Sequence, residues 1–167
     1  MYNSNGVKIA DGNFSDGLLQ GPGIKYNSDG IKIFEGVFDK GLYSGKSELY
    51  NDKGVKIYEG SFEEGFYSGR GVKYGNEGEK IYQGEFILGK YDGNGTLYDE
   101  IGNKIYEGRL VNDKYEGKGI QWNKGIKIYE GRFLNGKYHG NGILYDLDGN
   151  KIYQGQLKQG EYDGKGI

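Results

Sequence analysis

Apolar and polar residues alternate in short runs along this chain, and the runs themselves recur about every 24 residues. Counted from a Lys-Ile pair, copies begin at Lys8, Lys32, Lys56, Lys80, Lys104, Lys127 and Lys151. Residues 127–150, KIYEGRFLNGKYHGNGILYDLDGN, show the unit clearly. An apolar period of two is that of strands, not helices. The pattern predicts a strand over KIYEGRF, a four-residue turn LNGK, a second strand over YHGNGILY and a return turn DLDGN. Glycine in both turns supplies the positive φ of tight hairpins. Helix is disfavoured because each recurring glycine would cost ~1 kcal/mol. The copies divide residues 1–167 into one array: units 8–31, 32–55, 56–79, 80–103, 104–126 and 127–150, a partial unit 151–167, and a leading piece 1–7. A single deletion falls between Trp122 and Gly125, inside a return turn.

Folding the two strands of a unit about the four-residue turn predicts a register. It places Glu130 opposite Asn141 and Ile128 opposite Ile143, with Glu35–Lys46, Glu59–Arg70 and Glu107–Lys118 as matched charges. Rings and glycines then share one face, and the Glu–Lys pairs share the other. Such units bury themselves only against their neighbours. The expected fold is all-β, an elongated and twisted single-layer antiparallel meander of tandem β-hairpins, with about 14 strands at ~4.8 Å each.

Composition sharpens this reading. Of 34 glycines, 33 occupy five columns of the repeat and only Gly75 stands outside; the 17 tyrosines fill three columns. Such a mixture covers a thin sheet with rings better than it fills a thick core. A net charge of −2 gives no general pull toward nucleic acid. The lack of cysteine excludes disulfides and thiolate metal sites. No apolar run reaches membrane-spanning length, and the first 30 residues lack a signal peptide's apolar stretch, so a cytoplasmic chain is expected.

Near-equal repeats leave no unique place for asymmetric chemistry, so no enzyme, cofactor or metal site is expected. The recurring Gly-x-Gly lacks the Lys-Ser/Thr of a phosphate-binding loop and reads as room beneath rings. Asp146, Asp148 and Gly149 form a capped turn, not a calcium loop. His139, the sole histidine, reads as a solvated surface residue. The Lys8–Lys151 column either guards strand edges or faces phospholipid head groups. The aromatic face offers a candidate groove of Tyr58, Tyr67, Tyr82, Tyr91, Tyr106, Tyr115, Tyr129 and Tyr138. Tyr162 and Ile167 mark a candidate self-association edge, because the last strand is close to consensus and has no polar capping unit.

The series Tyr129, Gly131, Phe133, Gly136, Gly140, Gly142 and Leu144 resembles the MORN repeat, as does Tyr82, Gly84, Phe86, Gly89, Gly93, Gly95 and Leu97. The resemblance spans the whole chain. Departures include Ala10, Leu19, Ser47, Asp113, Leu110 and Leu157. It implies a single-layer antiparallel sheet with a role in protein association or membrane apposition, in some proteins beside a catalytic domain. The expected function is a non-catalytic scaffold that binds a protein partner or itself. The alternatives are a phospholipid-binding module, or an appendage of an enzyme whose catalytic domain lies outside this chain.

Overall fold

A computed structural model describes residues 1–167. It contains 14 strands and no helix, and the strands join one sheet in sequence order, each antiparallel to the next. Contacts divide the chain into two compact units. The first is Met1–Lys80 with Phe86–Gly89, and the second is Ile81–Glu85 with Lys90–Ile167.

The first unit holds β1 (Ala10–Ser15), β2 (Leu18–Tyr26), β3 (Lys32–Asp39), β4 (Leu42–Tyr50), β5 (Lys56–Glu63) and β6 (Phe66–Tyr74). β7 (Lys80–Ile87) contributes residues to both units. The second holds β8 (Lys90–Tyr98), β9 (Lys104–Val111), β10 (Lys114–Asn123), β11 (Ile126–Leu134), β12 (Lys137–Tyr145), β13 (Lys151–Lys158) and β14 (Glu161–Gly166).

Two kinds of turn alternate. Each hairpin tip is tighter than the four residues expected: Leu134 pairs with Lys137, leaving only Asn135 and Gly136 between them, at φ 51° and 82°. Positive φ at both central residues matches the right-handed twist of the flanking strands. Return turns are longer. Asn27, Asn51, Asp99 and Asp146 each accept the backbone N–H groups two and four residues on. The deletion after Trp122 converts one return turn into another two-residue tip, Lys124-Gly125, with φ 49° and 81°.

The expected register holds only beside the tip. Phe133 does face Tyr138, but Glu130 faces Ile143, not Asn141, and Gly131 faces Gly142. A two-residue bulge at Gly140 and Asn141 causes the slip, with Gly140 at φ 63°. A slip of two preserves the faces, as a slip of one would not. The matched charges do not survive it: Glu35 faces Glu48, Glu59 faces Val72 and Glu107 faces Ile120.

Candidate functional site

The aromatic face is built from a three-ring unit. Tyr58 stacks on Tyr67 with centroids 3.8 Å apart, Tyr106 on Tyr115 at 3.7 Å, and Tyr129 on Tyr138 at 3.9 Å. Tyr82 and Tyr91 repeat the arrangement at 4.0 Å. A phenylalanine of the next hairpin closes two of these stacks edge-on, Phe86 over Tyr58 and Tyr67, and Phe133 over Tyr106 and Tyr115; after the other two, the same column holds the buried Leu110 and Leu157. The inner ring lies across paired glycines: a Cβ on Gly131 or Gly142 would come within 2.4 Å of the Tyr129 hydroxyl. That hydroxyl donates to the Arg132 carbonyl at 2.8 Å, and Tyr58, Tyr82 and Tyr106 do the same to the residue three positions on.

Of the eight candidate groove residues, Tyr58, Tyr82, Tyr106 and Tyr129 have no exposed surface. They are core, and burial raises all four phenols above the ordinary tyrosine value, Tyr129 to about 12. A partner on this face would meet only the half-buried Tyr67, Tyr91, Tyr115 and Tyr138.

The opposite, polar face has a different logic. The first lysine of a repeat reaches the carboxylate three residues on: Lys32 to Glu35, Lys104 to Glu107 and Lys127 to Glu130, at 2.6–2.8 Å. Lys32 and Lys127 also sit over Tyr50 and Tyr145, 4.4 and 4.5 Å from the ring centroids. In the first unit Lys56 bridges Glu48 and Glu59, which offsets the like charges that the β4–β5 pairing sets opposite each other. Hydrogen bonding to Lys56 holds the Glu48 carboxyl below its usual range.

In the second unit the slip produces a groove. Ile120, Glu130, Ile143 and Gln154 become successive cross-strand neighbours. With Lys118 and Arg132 they line an open depression of about 950 Å³. Lys118 and Arg132 are exposed and enter no salt bridge. Nothing in the expected register pointed to this groove, because it put Lys118 beside Glu107.

The remaining candidates are quickly placed. Asp146 spends its carboxylate on the turn, where the N–H groups of Asn150 and Asp148 and the Asn150 amide lower its pKa. No group of three or more His, Cys, Asp or Glu is arranged to hold a metal. His139 is half-buried, not solvated: it faces Arg132, and its Nδ1 is buried without a partner. At the last hairpin Tyr162 stacks loosely on Tyr153, at 4.3 Å and 37°, and is 65% exposed. Ile167 exchanges two backbone bonds with Gln154, and its side chain stands in solvent.

Rings over paired glycines, repeated hairpin after hairpin, have a counterpart among known families. The family model for the MORN repeat matches residues 11–32, 58–80, 82–104, 106–127, 129–151 and 153–167. The chain belongs to the MORN-repeat family. No curated protein matches it. The MORN matches skip the β3–β4 hairpin, where Phe34 and Ser47 replace the usual tyrosine and glycine. That hairpin nevertheless keeps the stack, with Phe34 on Tyr43 at 3.7 Å. No helix of this MORN array is long and apolar enough to cross a membrane.

Proposed function

We infer that this MORN array is a non-catalytic scaffold that holds a segment of a partner protein, and that the polar-face groove of the second unit is its seat. The supporting observation is the groove itself, with an aliphatic floor of Ile120 and Ile143 beside the unpaired cations Lys118 and Arg132. An apolar core with a polar rim is the anatomy of a protein contact. A photo-crosslinking residue at Asn141 should capture a partner that one at Tyr138 does not, and Ile143→Asp should abolish the capture. Capture from Tyr138 alone would move the contact to the aromatic face and overturn this reading.

Self-association through β14 is a second reading, carried by the exposure of Tyr162 and Ile167. It predicts a dimer by light scattering that Tyr162→Lys with Ile167→Lys converts to monomer. The phospholipid alternative draws less support, because Lys8, Lys32, Lys56, Lys104 and Lys127 are already held by carboxylates. Sedimentation with anionic vesicles, repeated at high salt, separates it from protein binding. An appendage of an enzyme remains the third reading, and the parent open reading frame decides it.

A further inference from the structure

One column of the repeat changes chemistry between the two units. The first residue of the second strand in each hairpin is Leu18, Leu42 or Phe66 in the first unit; in the second unit a charged residue, Lys90, Lys114, Lys137 or Glu161, holds that place. The three apolar side chains are 48%, 52% and 52% exposed. They share the polar face with Gln20, Ser44 and Ser68, two residues further along the same strands, and they sit opposite Ser15, Asp39 and Glu63 beside the tips. The ring core gains nothing from them, since it lies on the other face. The second unit places lysine or glutamate at this position and keeps the same hairpin.

The stripe has a charge and a spacing. Asp16, Asp39, Glu63 and Glu64 flank it, all exposed and none in a salt bridge, with Lys40 the only cation at these three tips. Successive members are one hairpin apart, two strands, or about 9.5 Å. A helix laid across the strands repeats its face every seven residues, at about 10.5 Å. The mismatch is about 1 Å per step, which side-chain rotamers absorb over three contacts.

We propose that Leu18, Leu42 and Phe66 form a docking stripe for an amphipathic helix of a partner protein. That helix carries apolar residues at heptad spacing, with Lys or Arg on either side. Apolar anchors supply the affinity, and the carboxylates select the sign of the flanks. The stripe is separate from the second unit's groove and does not depend on it.

The test uses the full chain and three fluorescent synthetic helices of about 20 residues, long enough for three heptads. One has leucine at heptad spacing with lysine and arginine flanks. One has the same leucines with glutamate flanks, and one is the scrambled basic sequence. Anisotropy titration should show saturable binding of the first, with the other two at least about tenfold weaker. Leu42→Ser with Phe66→Ser should remove the binding. Asp39→Asn with Glu63→Gln should weaken it and flatten its salt dependence, while Ile143→Asp in the groove leaves it unchanged. Circular dichroism melts confirm that each variant is folded. Equal binding of the acidic helix, binding that survives the serine pair, or no binding of the basic helix overturns the proposal. So does sedimentation showing that the stripe instead pairs two copies of the chain.

Discussion

A hydroxyl changes owner within the β3–β4 hairpin. In the other ring-bearing hairpins a tyrosine lies over two glycines and donates to a backbone carbonyl. Here Phe34 has no hydroxyl, and Ser47 stands where one of the glycines would be. The Ser47 hydroxyl donates to the Ser44 carbonyl at 3.0 Å and accepts the Val37 N–H at 3.1 Å. A Cβ on Gly36 would lie 2.0 Å from that oxygen, so the space is taken. Phe34→Tyr alone should therefore cost about 1–3 kcal/mol by overpacking. Ser47→Gly alone should cost a similar ~1–3 kcal/mol by leaving the Val37 N–H unpaired. The double variant should return to within about 1 kcal/mol of the parent, a coupling that denaturant melts would measure directly. Additive losses would show that the two substitutions are unrelated. Glycines divide by the same reasoning. Gly95→Val meets the buried Tyr82 ring at about 2.4 Å, whereas a Cβ at Gly75 meets only the movable Glu79 carboxylate. Gly75→Val should cost markedly less than Gly95→Val, which should lose about 1–3 kcal/mol. Gly93 belongs to neither case: it lies against Glu85, not under a ring, and its φ of 111° is what a side chain would strain.

At the scale of the hairpin, backbone geometry sets the terms. The tip Leu88-Gly89 takes the same shape as Asn135-Gly136, with Leu88 at φ 49° and 70% exposed. Leucine holds that conformation at a cost and buries nothing in exchange, while asparagine tolerates it. Leu88→Asn should raise stability by about 0.5–1 kcal/mol; a neutral or destabilising result in a thermal melt would mean that the Leu88 side chain does more than exposure suggests. Hairpins, the places of the turns and the two faces were legible from the alternation of residues and the glycine columns, though not the two-residue length of the tips. The bulge was not. Gly140 and Gly142 look alike in the sequence, yet one takes positive φ at a slip and the other lies beneath Tyr129. Charge matching then rewarded the unslipped register, which paired Glu107 with Lys118 and hid the groove. The tyrosine columns misled in the same way, since composition does not tell the buried ring of a stack from its cover.

Across the whole array, stability passes from hairpin to hairpin through rings. Phe62 touches Phe34 and Tyr43 of the preceding repeat, and Phe133 touches Tyr106 and Tyr115, so these stacks are completed by the next hairpin. Such nearest-neighbour coupling spreads a local loss along the chain. It also makes the array sensitive to alkali. An unfolded tyrosine ionises near 10, whereas burial holds Tyr129 protonated to about 12 and raises Tyr58, Tyr82 and Tyr106 as well. Between those values the unfolded chain gives up protons that the native chain keeps. The stabilisation is therefore complete below pH 10 and is lost as pH rises toward 12. Tyrosinate absorbance should climb steeply in that window together with loss of the β-sheet circular dichroism signal. Tyr129→Phe separates the contributions. At neutral pH it should lose about 0.5–1.5 kcal/mol, the worth of the hydrogen bond to the Arg132 carbonyl. It should also narrow the stability difference between pH 8 and pH 11, because one fewer buried phenol resists ionisation. If the parent and Tyr129→Phe lost equal stability over that interval, the buried stacks would not be the source of the alkaline transition.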